Sequence, residues 1–425
     1  MCGMYRIPKG ENPAMSDQLA LDGGTPVRST PFPRVADASG RTLGEEEAQA
    51  AAAVVRSGKL NLTVGEHTRE LEREFADYYG VGHAVASTSG TAAIHLAVAA
   101  VNPEPGAEII TTGISDAGTI MPILAQNAVP VFADVDSRTG NLDVESVRAL
   151  ISPRTCAIIA VHLFGCPAPV AELRELADAH GITLIEDSAQ AYGTRTNPDG
   201  ARAGTVGHIG CFSLQQSKHI TAGDGGLTIT DDDHLARRAR LFADKAWPRD
   251  TGERTHLFLG LNYRMTELQS AVARIQLTRL ADVVQRRQER AAELTSALSE
   301  LAGLEPGPSR GHSYWQFPVF VDEHTAGGDG FRYAEALQAE GIPATGGYIT
   351  RPLYLTPVLT EAQTYGSSGY PLTGAGQKYA PGLCPVTESL INGRLLVIPW
   401  NEQYTSADVA DIAAGLRKVH AASQD

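Results

Sequence analysis

Three short stretches of this sequence carry side chains whose types and settings could do chemistry. Lys218 stands in Cys211-Phe-Ser-Leu-Gln-Gln-Ser-Lys218-His-Ile-Thr-Ala-Gly-Asp-Gly-Gly226, after an apolar run and ahead of a glycine-rich loop. A lysine taken out of water there has a lowered pKa and can act as an amine nucleophile or a general base; on an open turn it is only a solvated charge. Asp187 ends the apolar run Leu184-Ile-Glu-Asp187. An unpaired buried carboxylate is costly, so it needs a cationic ligand nitrogen, an arginine or a helix end to cap. Ser87-Thr-Ser-Gly-Thr91 directly precedes a helical pattern. Small residues at that point let backbone N–H groups and the helix N-terminus hold a phosphate, and they also serve as ordinary helix caps.

These stretches are spaced along a regular alternation. Residues 84–87, 108–112, 129–134, 155–161, 182–186, 208–214 and 226–230 read as short strands. Helical patterns follow at 90–98, 121–127, 170–180 and 231–242. Strands apolar on both faces and separated by helices predict an α/β domain with a mostly parallel, covered sheet, whose ligands sit beyond the carboxyl ends of the strands. A long helix is expected from 266 to about 302, where Gly303, Pro306 and Pro308 interrupt the pattern. A strand at 313–321, a helix at 331–340, a Gly/Pro/Tyr-rich stretch to about 386, a strand at 395–399 and a helix at 407–420 predict a smaller α+β domain. The expected division is an N-terminal lead or arm over 1–35, a large domain over 36–285 and a small C-terminal domain over 286–425.

Composition narrows the function. The chain has 425 residues, a net charge of −14 and 43% hydrophobic residues. It can bury a large core, and its acidity disfavours nucleic acid or anionic membrane as the main partner. No apolar run approaches the roughly 20 residues that span a bilayer. The five cysteines, Cys2, Cys156, Cys166, Cys211 and Cys384, are odd in number and irregular in spacing, as in a reduced cytoplasmic protein. Cys156, His162 and Cys166 lack the paired spacing of a metal site, so no metal is expected. Residues 1–15 lack the apolar stretch of a signal peptide and read as a flexible lead, with Met15 an alternative start. No G-x-G-x-x-G opens a helix after the first strand, which sets aside a dinucleotide-binding dehydrogenase.

Phosphate cradle, carboxylate for a ring nitrogen and Schiff-base lysine together form the set that pyridoxal phosphate requires. In Leu21-Asp-Gly-Gly-Thr-Pro-Val27, Ser89-Gly90-Thr91, Glu186-Asp187-Ser-Ala-Gln190, Phe212-Ser213-Leu-Gln-Gln-Ser-Lys218 and Gly260-Leu-Asn262-Tyr-Arg-Met-Thr-Glu267, the sequence resembles the DegT/StrS-type sugar and aminocyclitol aminotransferases. The likeness runs over nearly the whole chain. It implies the fold type I of pyridoxal-phosphate-dependent transferases, a large domain around a seven-stranded sheet and a small C-terminal domain. It further implies that Lys218 forms the Schiff base and moves the proton, and that Asp187 pairs with the ring nitrogen. By the same resemblance Gly90, Thr91 and Ser213 hold the phosphate, Ser89 and Asp116 are among the cofactor-binding residues, Gln190 lies by the ring, and Asn262 reaches the phosphate of the neighbouring subunit in a homodimer with shared active sites.

Two departures bear on chemistry. Family members commonly place Trp or Phe on the cofactor face after the second strand, whereas Asp116 falls at or near that position. Dehydratases of the family replace the lysine with histidine, whereas this sequence keeps Lys218 with His219 beside it, which favours aminotransfer. The expected reaction moves an amino group from L-glutamine or L-glutamate to a keto group of a sugar or cyclitol. Lys218 would act as the general acid–base. The Gln215-Gln216 pair resembles the cyclitol members and points to an unactivated ketone in antibiotic biosynthesis. Tyr314, Trp315, Tyr348, Arg351 and Tyr354 could line the substrate pocket or pack as core. The alternatives are a lysine-dependent lyase, decarboxylase or oxidase on the same cofactor, and a non-catalytic, cofactor-binding regulatory protein.

Overall fold

In the computed structural model, residues 18–196 and 200–424 are described, so the expected lead at 1–15 lies outside them. Two helices open the large layer, α1 (Glu45–Ser57) and α2 (His67–Tyr79). Neither was anticipated. The charged, alanine-rich composition of α1 and the polar face of α2 hide the apolar spacing; α2 is held by Leu71, Phe75 and Tyr79 packing into the core. Then follow β1 (His83–Ser87), α3 (Gly90–Val101), β2 (Glu108–Thr112), α4 (Met121–Ala125), β3 (Val129–Ala133), α5 (Val144–Leu150) and β4 (Thr155–Val161). The layer is completed by α6 (Val170–His180), β5 (Thr183–Asp187), β6 (Ile209–Ser213), β7 (Gly226–Thr230) and α7 (Asp233–Ala243).

The seven strands form one sheet in the order β1-β7-β6-β5-β4-β2-β3. Only β7 runs against its neighbours, β1 and β6; the other pairings are parallel. Strands such as Glu108–Thr112 and Ile209–Ser213 are buried on both faces, as expected for a sheet covered on both sides. The exposed edge of β3 is closed by Gln377, whose side-chain amide accepts from Phe132 N–H at 2.7 Å and donates to Phe132 C=O at 3.0 Å. This assigns a role to part of the Gly/Pro/Tyr-rich stretch: its side chains blunt a sheet edge.

Helix α8 (Glu267–Leu298) begins at a capping box between Thr266 and Gln269 and spans 32 residues, about 48 Å. Its first half buries Leu277, Leu280 and Val284 against the seven-stranded sheet. Its second half buries Ala291, Leu294 and Leu298 against a four-stranded sheet built from β8 (Leu304–Pro306), β9 (Gln316–Val321), β10 (Thr345–Gly346) and β11 (Leu395–Pro399). One helix is therefore rigid backing for both layers.

The strand expected at 313–321 begins later. Ser313, Tyr314 and Trp315 leave the strand register, with Tyr314 at φ 54°, and dock on the large sheet layer: Ser313 N–H donates to Gly165 C=O and Trp315 N–H to Phe164 C=O, at 3.0 and 2.8 Å. The fully buried Arg287 of α8 fixes this segment. Its guanidinium donates to the carbonyls of Tyr314, Trp315 and Trp400 and pairs with Glu402 at 2.8 Å.

Candidate active site

Four strand ends converge on one cavity of about 300 Å³. Asp187 is the last residue of β5 and 4% exposed. Thr119 Oγ1 donates to its Oδ2 at 2.8 Å and Ala189 N–H donates to its Oδ1 at 3.2 Å. Burial pushes this carboxyl up from its ordinary range, against the pull of the Thr119 and Ala189 hydrogen bonds and the Lys218 charge. A positively charged ring nitrogen against it would restore the ionised form.

Lys218 follows β6 in a turn, its N–H donating to Gln215 C=O at 3.0 Å. Burial lowers its amine from 10.5 to about 8, opposed by Asp187 and Asp116. That is the range in which a lysine can both take and release a proton near neutrality. Arg41 reaches in from the segment before α1: its guanidinium donates to Lys218 C=O at 2.7 Å and holds the turn. His219 points away, its Nε2 within 3.0 Å of Ser313 C=O, so it does not compete with the lysine for the cavity.

The third element is the start of α3. Ser89 caps the helix, its hydroxyl accepting from Ala92 N–H at 3.0 Å. The capping role is thus filled in fact, and it leaves the first N–H groups of the helix and the Thr91 and Ser213 hydroxyls around the same end of the cavity. Gly90 has to be glycine here, because a Cβ would lie 2.6 Å from Ser213 Cβ. Helix N-terminal N–H groups with hydroxyls suit a phosphate, the Asp187 carboxylate suits a ring nitrogen, and the Lys218 amine suits an aldehyde. The donor set fits pyridoxal phosphate.

Of the residues expected at the site, Ser89, Gly90, Thr91, Asp116, Asp187, Gln190, Ser213, Lys218, Trp315 and Tyr348 line this cavity. Gln190 is pinned, accepting from Phe164 N–H at 2.7 Å and donating to Tyr348 Oη at 3.1 Å. Asp116 caps a short turn, accepting from Gly118 N–H at 2.7 Å, and the segment 113–119 brings no aromatic ring to the cavity. The placement of three others is a correction. Tyr314 stacks on His312 at 3.9 Å within the small-sheet core, because the turn at 313–315 directs its ring inward. Tyr354 is buried against Phe132, its hydroxyl bonded to Glu388 at 2.7 Å. Arg351 is exposed outside the cavity. Asn262 is exposed and also lies outside it, bridged to Asp244 near the chain's surface. Of the glutamine pair, Gln215 lines the cavity, whereas Gln216 ties down the N-terminal arm at Val35 C=O, 3.0 Å away.

Thr119, Ser115, Asp224 and Arg41 were not anticipated. Thr119 and Ser115 stand in the Gly/Ser/Thr-rich segment that follows β2, and such a run after a buried strand is itself a signal. Arg41 has no local signal: its partner is 177 residues away.

Known proteins extend this geometry. Residues 41–417 match the DegT/DnrJ/EryC1/StrS aminotransferase family. The L-glutamine:2-deoxy-scyllo-inosose aminotransferase of Streptomyces kanamyceticus is 35% identical, the alignment covering 96% of this chain and 98% of the relative. The UDP-N-acetyl-3-dehydro-alpha-D-glucosamine 3-aminotransferase of Acidithiobacillus ferrooxidans is 34% identical over 84% of this chain and 89% of its own. The crystal structure of an aminotransferase from Psychrobacter cryohalolentis superposes with a TM-score of 0.82 and 27% identity, covering 93% of this chain and all of that one. The sheet order, the cavity at its strand ends and these likenesses agree: the chain belongs to the DegT/DnrJ/EryC1/StrS aminotransferase family.

Proposed function

We propose that this enzyme is a pyridoxal-phosphate-dependent aminotransferase that takes the amino group of L-glutamine and delivers it to the ketone of a free cyclitol or unactivated sugar, in the biosynthesis of a secondary metabolite. The observation that carries the reading is the convergence of Lys218, Asp187 and the N-terminus of α3 on one cavity. Pyridoxal phosphate, bound there, supplies the aldehyde that captures the amine and the ring that withdraws electrons from the carbon losing its proton. The protein does the rest. Asp187 holds a positive charge at the ring nitrogen, Thr119 and Ala189 orient that carboxylate, and the start of α3 with Thr91 and Ser213 anchors the phosphate. Lys218 Nζ would take the proton from the donor carbon and, in the acceptor half-reaction, give a proton to the carbon that was the ketone. The aminotransferase reading is preferred to the lyase, decarboxylase, oxidase and non-catalytic ones because the relative aligned over 96% of the chain is named as an aminotransferase and Lys218 is kept.

Two features support an unactivated acceptor. Among the described residues lining the cavity, Lys218 is the one cationic side chain, and Asp116, Asp187 and Asp224 are all acidic. Nothing in this chain's cavity offsets the charge of a nucleoside diphosphate. The relative aligned over 96% of the chain is named for 2-deoxy-scyllo-inosose and glutamine.

The proposal includes a cytoplasmic homodimer and the division into large (36–285) and small (286–425) domains. A dimer is supported by the surface beside Asn262, where Leu257, Leu259 and Leu261 are 49%, 86% and 38% exposed in one short segment. Among the described residues no helix is long and apolar enough to cross a membrane.

The test is a panel of ketones offered to the enzyme loaded with pyridoxamine phosphate. Free ketocyclitols should be aminated with a kcat/KM at least about tenfold above nucleotide-linked keto sugars, the discrimination of one charged contact. The reverse order would overturn the acceptor class and leave the reaction type standing.

A further inference from the structure

Trp315 comes from the small-sheet side of the molecule, yet its ring lies over the catalytic amine, with Lys218 Nζ 4.0 Å from the ring centroid. The indole is not free to choose this position. Its Nε1–H donates to Ser217 C=O at 2.8 Å, the residue before the lysine. Its backbone N–H donates to Phe164 C=O at 2.8 Å, and its carbonyl accepts from the buried Arg287 at 3.3 Å. Tyr348 packs edge-on against it, ring centroids 6.2 Å apart. Ring, lysine and turn are thus locked by four separate contacts, and the ring presents its negative face to the amine.

Resting on the aminotransferase reading, we propose that Trp315 is a positioning residue of the reaction, which stabilises the protonated form of the Lys218 amine whenever that amine is not bonded to the cofactor. The need is chemical. After the lysine gives up its Schiff base it must carry a proton between two carbons, so it has to exist for part of each cycle as an ammonium ion inside a buried site. Burial opposes that ion and lowers the amine to about 8. The carboxylates that face it from other elements are Asp187 at the end of β5 and Asp116 in the turn after β2, with Asp224 of the glycine loop on the same cavity. Tyr348 faces it as a neutral phenol, its hydroxyl pushed up by burial, and Arg41 touches the lysine's backbone carbonyl rather than its amine. Asp187 is committed to the cofactor ring, so its charge is shared when the lysine needs it. The Trp315 face is a source of stabilisation that the ring nitrogen does not claim.

Scarcity of lysine makes this directly measurable. The chain has six lysines, so enzyme labelled with carbon-13 at the lysine ε position gives six signals, and the one missing from Lys218→Ala identifies residue 218. In the full-length enzyme loaded with pyridoxamine phosphate, where this amine is free, its chemical shift is titrated in wild type, Trp315→Phe and Trp315→Leu. A cation–ring contact of ordinary strength corresponds to a midpoint lower by about 0.4 to 1.5 pH units in Trp315→Leu, with Trp315→Phe in between. The acid limb of the ketone half-reaction should move by the same amount. A midpoint unchanged or raised in both variants overturns the proposal. Should Trp315→Leu not fold, Trp315→Phe decides alone. A protein that acquires no cofactor absorbance at all would instead contradict the aminotransferase reading.

Discussion

Asp187 and Lys218 are both buried, and each shifts the other. Burial drives the carboxyl up and the amine down, and the opposite charges draw both back toward the ionised state. This balance separates their roles under mutation. In Asp187→Ala the lysine remains, so covalent capture of pyridoxal phosphate persists, while turnover is expected to fall at least about hundredfold, as when a preorganised charge is removed from a reacting centre. Single-turnover rates with glutamine check it; unchanged rates would mean that the ring nitrogen is served by another group. Lys218 itself could be read from the sequence, because arginine stays protonated and cannot form a Schiff base at neutral pH, so the bias that leaves six lysines beside 29 arginines cannot act there. Trp315 could be named as an aromatic near the site. That its ring covers the amine could not, since the contact depends on a turn at 313–315 whose docking partners lie at 164 and 165.

Among the elements, the start of α3 is the most constrained. Gly90 is pressed against Ser213 at the end of β6, so helix and strand meet with no room for a methyl group. Gly90→Ala must push the helix start away from Ser213. Affinity for pyridoxal phosphate is expected to fall by tenfold or more, with thermal stability lowered by about 1–3 kcal/mol of overpacking; equilibrium dialysis of the cofactor and a melting curve check the two effects. Unchanged cofactor affinity would place the phosphate elsewhere. The strands that carry the site were legible because they are apolar on both faces: residues 108–112, 155–161 and 226–230 fall where the pattern put them. Helices α1 and α2 were missed because their outer faces are so charged that the apolar stripe is diluted. The strand pattern at 313–321 overruns the observed β9 by three residues, because Tyr314 and Trp315 are aromatic for docking, not for pairing.

At the scale of the whole molecule, α8 joins two cores, and the surface segment at 257–261 exposes three leucines beside Asn262. Leu259→Asp should shift the enzyme toward monomer in sedimentation, and with it lower activity if the partner contributes to the phosphate site. A monomeric wild type would contradict the shared-site proposal. The pH response of stability is also built in. His312 and His95 are buried neutral, lowered to about 3 and about 4 chiefly by burial, and His219 is lowered well below its ordinary value. Below pH 6.5 the unfolded chain takes up protons at these sites that the folded chain refuses. Stability is therefore full above pH 6.5 and falls as pH drops, by up to about 1.4 kcal/mol per unit for each histidine. The raised Asp187 carboxyl works in the other sense and offsets part of this. The melting temperature should decline by several degrees between pH 7 and pH 5, before the surface carboxylates begin to protonate; a flat or rising profile would contradict the burial of neutral imidazoles.

An aminotransferase of this kind must capture pyridoxal phosphate at Lys218 and pass an amino group through it. An absorbance spectrum of the purified protein with added pyridoxal phosphate, followed by addition of L-glutamine, tests it in one cuvette. The enzyme should turn yellow with the cofactor, bleach with glutamine and regain its colour when a keto acceptor is supplied, and Lys218→Ala should stay colourless. A protein that stays colourless, or a colour that Lys218→Ala retains and glutamine leaves unchanged, would contradict it.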